Sequence, residues 1–564
     1  MSVITTSRPH AGLVDAVRSA AAARPEAPAM TFLDYSTSRT GTPSTLTYGE
    51  LDSRSAAVAA RLITMLAPGS RVAVLCPTSD AYVVAFVACV YAGMIAVPLY
   101  APEAYRSNDR ALSAMADAGC DAVLTPAAYR PLVLEQTADA LPAHRVLAVD
   151  EFDAGDRGFE PVPVDPTAIA YLQYTSGSTR RPTGVRVSNH NIAVAAAQMA
   201  HAIGVDDTAR LVSWLPLFHD MGLVFGLVTP LTQGRPVSLM TPLAFVQQPA
   251  RWLSQLSSDG ATHTMSPNFG LDLCVERVRA AQRAEFNLSA LRVLGNGAEP
   301  IRARTLARFS EAFRESGFRH EAHMPGYGLA EATLVVTSKE RSAPPTVRTF
   351  DRDDLRAGRV CVVAEDAPRG RTMVGCGAPV MQEIRVDADH GQVGEILVRG
   401  ENVCAGYWNT DERAAYVFGS DGWLRTGDIG FVHEGELFVA GRSKDLIIID
   451  GSNYHPVDIE LAIEEACPWL RSDHVAVFAF DAGDRERLVV AAEPRQAADR
   501  LTADKAEAVR AAVGTTFDLD VHEVVLIRRG TMPRTTSGKI QRSLCRERYE
   551  RGKLSPARSE PTGD

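Results

Sequence analysis

Short apolar runs alternate with longer helical patterns along most of this chain. Arg71-Val72-Ala73-Val74-Leu75 precedes a helical stretch after Ser79, and Ala122-Val123-Leu124 and Arg145-Val146-Leu147-Ala148-Val149 continue the alternation. This reads as βαβ units and largely parallel sheets, an α/β body. Ile169 to Tyr174 reads as a further buried strand, with a helix from Asn189 onward. Tyr35 to Thr47, rich in Ser and Thr with Gly41 and Pro43, reads as a loop between strands. Short β-rich pieces cluster late, at Gly394 to Arg399 and Gly435 to Val439, and Lys444 to Gly451 opens a new α/β unit. The boundary between a large N-terminal body and a C-terminal domain falls at Gly441 to Asp445.

Ala81 to Ala101 carries no charge and is about long enough to cross a bilayer. Gly93 and Pro98 interrupt it, so it reads instead as a buried helix (Ala81 to Tyr91), a turn at Gly93 and a buried strand (Ile95 to Leu99). A membrane-spanning protein is not expected.

At 564 residues the chain is too long for one core. A net charge of -10 argues against non-specific nucleic-acid binding. The nine cysteines are scattered, with no Cys-x-x-Cys and no Cys/His cluster. That pattern fits reduced, buried thiols in a cytosolic protein better than a disulfide frame or a zinc site. Met1 to Val14 lacks a basic and apolar signal region, so export is not expected.

Two separated segments carry the chemistry. Leu172-Gln173-Tyr174-Thr175-Ser176-Gly177-Ser178-Thr179 ends a strand in small hydroxyl residues and glycine, which lets backbone N–H groups approach phosphate oxygens. It is not the GxxxxGK[ST] loop, and by itself it fits a flexible turn equally well. Far downstream, Pro533 to Arg542 contains Ser537-Gly538-Lys539. Together the two suggest one phosphate-handling loop and one mobile lysine, parts that suit activation of a carboxylate by ATP. Asp428, in Thr426-Gly427-Asp428, reads as a turn carboxylate able to accept ribose hydroxyls, or as a solvated turn aspartate. Arg442 adds a donor, or is a surface arginine. Glu331 is a hard oxygen ligand for Mg²⁺, or an ordinary helix-start glutamate. Tyr327 can stack on a base or fill the core. His219, joined to Asp220 and flanked by Gly222 and Gly226, suggests a shaped pocket wall.

The motifs Tyr174 to Thr179, Trp214 to Leu223, Ser266-Pro267-Asn268-Phe269, Gly295 to Pro300, Tyr327 to Glu331, Gly427-Asp428, Gly441-Arg442 and Ser537-Gly538-Lys539 occur together, in this order. With them the chain resembles the adenylate-forming superfamily of acyl-CoA synthetases, adenylation domains and luciferases, and within it the fatty acyl-AMP ligases. The resemblance runs from Leu46 to Leu554. It implies a large body of mixed, largely parallel sheets (1–441), a hinge (442–444) and a small mobile α+β domain (445–564). It implies that Thr175, Ser176, Gly177, Ser178 and Thr179 cradle ATP phosphates. Gly297, Ala298 and Glu299 would line the adenine site, with Tyr327 and Gly328 against the base. Asp428 and Arg442 would hold the ribose, Glu331 the magnesium, and Lys539 the carboxylate and α-phosphate together. Lys444 matches the hinge and His219 a gate at the mouth of the acyl tunnel. Phe225, Met265, Asn268, Phe269 and Leu273 are candidates for the acyl pocket.

The implied reaction is ATP-dependent conversion of a fatty acid to acyl-AMP. The acyl group then passes to the phosphopantetheine thiol of an acyl carrier protein, usually in lipopeptide or polyketide assembly. An acyl-CoA synthetase, or an adenylation enzyme for a non-fatty carboxylic or amino acid, is the alternative. Two departures stand out. The superfamily loop continues Gly-x-Pro-Lys-Gly, but here it is Arg180-Arg181-Pro182-Thr183-Gly184, and Asn453-Tyr454-His455-Pro456 has Tyr before His. Val347 to Val363 reads as strand, short helix capped by Asp351, then strand. It resembles a ligase-specific insertion, expected to rest on the small domain through Phe350, Leu355 and Val362 and so to disfavour CoA.

Overall fold

The computed structural model describes residues 12–102, 109–152, 159–163, 165–175, 182–389, 391–410, 417–419, 421–449, 452–481, 486–496, 500–535 and 538–554. Two large sheets build the body. The six-stranded sheet runs in space Val146–Ala148, Ala122–Thr125, Arg71–Cys76, Ile95–Tyr100, Ile169–Thr175, Thr183–Ser188. Its pairs are parallel except the last, which is antiparallel. The nine-stranded sheet includes four neighbouring parallel strands, Leu211–Ser213, His263–Met265, Val293–Asn296 and His323–Gly328. In the six-stranded sheet Arg71–Cys76, Ile95–Tyr100, Ala122–Thr125 and Val146–Ala148 are buried almost throughout, as strands covered on both faces must be, and so read as hydrophobic runs.

The helix Asp80–Tyr91 is buried at every position from Ala81 to Tyr91. It packs on the helices Leu13–Ala23 and Tyr48–Met65 and on the strands Arg71–Cys76 and Ile95–Tyr100. A helix apolar on all sides belongs in a core, and the chain turns into the next strand at Gly93, φ +64°. Among the described residues no helix is long and apolar enough to cross a membrane. The loop expected over Tyr35 to Thr47 is partly a strand. Thr42–Thr47 pairs antiparallel with Pro28–Asp34 at the sheet edge. Only Leu46 of this strand is buried, so its composition imitates a loop.

A third sheet, fully antiparallel, joins Glu383–Asp387, Gly394–Arg399, Leu424–His433 and Glu436–Arg442. Beyond it the C-terminal unit has its own core, in which Ile459 and Ile463 of the helix Pro456–Ala466 meet Val475, Val477, Leu488, Val490, Val509 and Val513. The observed class is thus an α/β body with a smaller α+β unit after it.

In the 347–363 segment the strand Val347–Asp351 leads into the helix Arg352–Arg356. Asp351 caps it, accepting from the N–H groups of Asp353 and Asp354, both at 2.9 Å. The second strand expected there is reduced to one bridge between Val362 and Phe350, and the true pairing partner is Gly370–Val374. The expected contacts also differ. Phe350 and Leu355 bury against Phe431, Phe438 and Met373 of the body, and Val362 is 47% exposed. Arginines make the crossing instead. Arg352 lies over the Phe517 ring at 4.8 Å and Arg356 over Tyr454 at 5.1 Å. Arg371 reaches Asp458 at 2.8 Å and also donates to the Ala440 carbonyl at 2.7 Å. The apolar side chains of the segment follow their own sheet, so only the long cationic ones span to the next unit.

Candidate active site

The strands Ile169–Thr175, His263–Met265, Val293–Asn296 and His323–Gly328 all end at one cavity of about 1000 Å³. Ligand sites in α/β sheets form beyond the carboxyl ends of the strands, where loops diverge. Thr175 lines the cavity beside Thr183, its partner in the antiparallel pair. Ser176, Gly177, Ser178, Thr179, Arg180 and Arg181 lie outside the described residues.

Asp428 is not in a turn. It sits within the strand Leu424–His433, directly across from Arg442. Gly427 at φ +70° and a register shift after Ile429 give the segment its turn-like sequence. The Arg442 Nε donates to one Asp428 oxygen at 2.8 Å, and the Tyr327 hydroxyl donates to the other at 2.7 Å. Burial and the neighbouring Asp428 push the Tyr327 hydroxyl well above its usual range, so it stays a donor. Gly328 admits no side chain, because a Cβ there would lie 1.9 Å from the Leu334 carbonyl oxygen.

Glu331 stands in the one-turn 3₁₀ helix Ala330–Ala332 rather than at the start of an α-helix. The Tyr407 hydroxyl donates to its Oε1 at 2.7 Å. Tyr407 was not picked out in the sequence, where it belongs to no motif. Gly297, Ala298 and Glu299 follow the strand Val293–Asn296, with Ala298 at φ +70°. Glu299 is raised by burial, and its Oε1 is buried without a hydrogen-bond partner. His219 contacts Asp220 through Nδ1 at 2.6 Å. Burial pushes the Asp220 carboxyl up, but His219, Lys539 and the Met221 N–H outweigh it, and the net direction is down.

Lys539 enters this cavity from the C-terminal unit, in a loop closed by its own backbone. The Thr535 N–H donates to the Lys539 carbonyl at 2.8 Å, and the Lys539 N–H donates to the Thr535 hydroxyl at 3.0 Å. Burial and Arg442 push the Lys539 ammonium down, while Asp220, Glu299 and Asp428 pull it up. Lys444 lies on the cavity wall too.

Of the acyl-pocket candidates only Met265 lines the cavity. Phe225 is fully buried in the body core, and Leu273 packs against that core. Phe269 packs edge-on against Trp214 at 5.7 Å. Asn268 is structural: its amide donates to the Pro300 carbonyl at 2.8 Å, and its oxygen accepts from the Arg302 N–H at 3.3 Å. The apolar wall comes instead from Met199, Ala202, Ile203, Met324, Leu334 and Val335. Met199, Ala202 and Ile203 share the helix Asn189–Ile203, while Met324, Leu334 and Val335 lie far along the chain, so no single motif joins them. Among the described residues no three His, Cys, Asp or Glu side chains converge as a metal site.

Known proteins resemble this chain over most of its length. Residues 17–408 match the AMP-binding enzyme family, and residues 444–559 match the Disco-interacting protein 2-like AMP domain. The long-chain-fatty-acid–AMP ligase FadD32 of Mycolicibacterium smegmatis is 38% identical, over 93% of this chain and 92% of its own. The medium-chain-fatty-acid–[acyl-carrier-protein] ligase JamA of Moorena producens is 37% identical, over 90% of each chain. A solved structure from a study of fatty acyl-adenylate ligases from E. coli and L. pneumophila matches with a TM-score of 0.87 at 34% identity, covering 97% of this chain and 98% of its own.

Proposed function

Since the chain belongs to the AMP-binding enzyme family, and within it to the fatty acyl-AMP ligases, we propose that it joins a fatty acid to AMP from ATP and passes the acyl group to the phosphopantetheine thiol of an acyl carrier protein. The observation that carries this reading is the convergence of Lys539 with Asp220, Glu299, Asp428 and Arg442 on one cavity, across two units of the chain.

A carboxylate is a poor acyl donor until its oxygen becomes part of a good leaving group. In the first step that oxygen attacks the α-phosphorus of ATP. The bond to the bridging oxygen breaks, and its electron pair leaves with pyrophosphate. Carboxylate and triphosphate repel each other as they approach, and Lys539 offsets that repulsion at the reacting centre. Asp428 already accepts from Arg442 and Tyr327. A carboxylate has about four acceptor positions, so two remain for the ribose hydroxyls. Gly297, Ala298, Glu299, Tyr327 and Gly328 are assigned to the base, and Thr175 on the cavity wall to the phosphates. Glu331 fits Mg²⁺, which is commonly held by one or two carboxylates with substrate phosphates and water. When bound, that ion supplies charge neutralisation on the phosphates. Tyr407 orients the Glu331 carboxylate through its 2.7 Å hydrogen bond. In the second step a thiol attacks the acyl carbon. AMP leaves, and the thiol proton is released.

Between the steps the unit after residue 444 turns about Lys444, and Lys539 withdraws. Arg352, Arg356 and Arg371 oppose that turn, because their partners lie on the moving unit. A carrier protein adds its own binding surface in the second orientation, whereas CoA adds little.

Lys539→Ala tests the reading. Single-turnover acyl-AMP formation is expected to fall ~10²–10³-fold, while calorimetric ATP binding persists. Wild-type adenylation by this variant would remove Lys539 from the mechanism. A panel of carboxylic acids in ATP–pyrophosphate exchange then defines the acyl class.

A further inference from the structure

Arg302 sits three positions beyond Glu299, immediately before the helix Ala303–Phe313. Asn268 fixes the chain at this point, holding the Pro300 carbonyl and the Arg302 N–H. From there the guanidinium leaves the body. It pairs with Glu464 at 3.2 Å and with Asp473, both in the C-terminal unit. The three side chains are only 16%, 3% and 15% exposed.

Asp473 passes the contact on. Its backbone is left-handed at φ +61°, a strained state for aspartate held by several bonds at once. Its N–H donates to Glu464 Oε1 at 2.8 Å, its carboxylate takes Arg302, and its carbonyl accepts from the Arg534 guanidinium. Arg534 in turn bridges to Ile540 across the base of the loop that carries Lys539. An unbroken line of contacts therefore runs Asn268, Arg302, Asp473, Arg534, Lys539 loop.

We infer that Arg302 is a positioning residue for the adenylation step, seating the Lys539 loop over the cavity by holding Asp473 and Glu464. This rests on the reading of Lys539 as the lysine of acyl-AMP formation. Both carboxylates meet the same Nη1 nitrogen, and a guanidinium keeps its charge when buried where a lysine ammonium is more readily neutralised. Removing it leaves the buried Glu464 and Asp473 to the more distant Arg304, 3.8 Å from Glu464, a costly state that the unit escapes by undocking.

The test uses the full chain with fatty acid, ATP and Mg²⁺. Arg302→Met is expected to slow single-turnover adenylation about tenfold to hundredfold with the KM for ATP within about twofold. Arg302→Lys should lose less. The reversed pair Arg302→Asp with Asp473→Arg should recover at least part of what Arg302→Asp alone loses. If Arg302→Met does not fold, Arg302→Lys and the reversed pair decide the matter. Wild-type adenylation by both Arg302→Lys and Arg302→Met overturns the inference. So does a loss carried by ATP affinity without rescue in the reversed pair, which would make Arg302 a nucleotide contact. Lys539→Ala runs alongside. If that variant adenylates normally, the functional reading falls. If it is inactive while the Arg302 variants are normal, only the seating role falls.

Discussion

Two arginines of the body grip opposite ends of one helix in the C-terminal unit, and they do so differently. Arg371 takes Asp458, in the first turn of Pro456–Ala466, at 2.8 Å. Arg302 takes Glu464, in the last turn, together with Asp473. A carboxylate is favoured at a helix N-terminus and disfavoured at its C-terminus. At the first turn Asp458 pairs with Arg371 and feels Arg352 as well, though burial still raises its carboxyl, and Arg371 is tied to the Ala440 carbonyl just before the proposed hinge. The Arg302 contact holds two carboxylates on one guanidinium. Burial raises the Glu464 carboxyl, Arg302 pulls it down and Asp473 pushes it up again, for a net rise to about 7. Burial lowers the Arg302 guanidinium, but Asp473 and Glu464 more than restore it, so the arginine stays charged while the glutamate is the group that yields. The difference suits a swinging unit, with a balanced grip beside the pivot and a releasable one beside the reacting centre.

The largest test of this contrast is Arg371→Met. It leaves Asp458 buried and unpaired, and loss of about 3–5 kcal/mol is expected by denaturant unfolding. The double variant Arg371→Met with Asp458→Leu should recover much of that. Equal stability losses for Arg371→Met and Arg302→Met would erase the distinction between the two grips.

A smaller effect concerns the thiol acceptor. The intact enzyme is expected to make acyl-AMP but little acyl-CoA when CoA is supplied, as read by mass spectrometry. Arg352→Ala with Arg356→Ala, or deletion of residues 348–360, should raise acyl-CoA formation. A tenfold gain needs only about 1.4 kcal/mol in the orientation equilibrium. Efficient acyl-CoA formation by the intact enzyme would show that the hinge-side contacts do not restrain it.

The smallest expected effect is a pH dependence at the other end. Arg302, Arg304, Asp473 and Glu460 are the charged groups facing Glu464. Its carboxyl is raised from 4.5 to about 7, so its contribution to stability is complete below about 4.5 and lost as pH rises through about 7. Glu464→Gln imitates the protonated form at every pH. The wild-type Tm should therefore fall relative to that variant between about pH 5 and about pH 8. A constant difference across that range would place the surplus charge elsewhere.

What the sequence made legible follows from where each signal lies. Strands buried on both faces announce themselves as apolar runs, and Asp351 announces its helix because a cap is a local bond. Asp428 was misplaced in a turn because Gly427 and a register shift disturb a strand in the same way that a turn does. Phe350 and Leu355 were expected to rest on the small domain but pack against the body, because an apolar pattern does not say which partner covers it. The apolar cavity wall and Arg302 were missed for a related reason. Met199, Leu334 and Arg302 acquire their roles only when elements far apart in sequence meet, and a charged residue after Pro300 looks like solvent-facing surface.

The helix Asp80–Tyr91 also bears on how the chain is made. Leu13–Ala23, Tyr48–Met65 and Arg71–Cys76, which pack on it, are translated before it, and Ile95–Tyr100, Ala122–Thr125, Val149–Glu151 and Tyr171 follow soon after. At ~5–20 residues per second, the roughly eighty residues after Tyr91 take about 4–16 seconds to appear. This oily stretch is thus wrapped within seconds of its own synthesis, leaving chaperones and membrane-targeting factors only a brief opportunity to engage it.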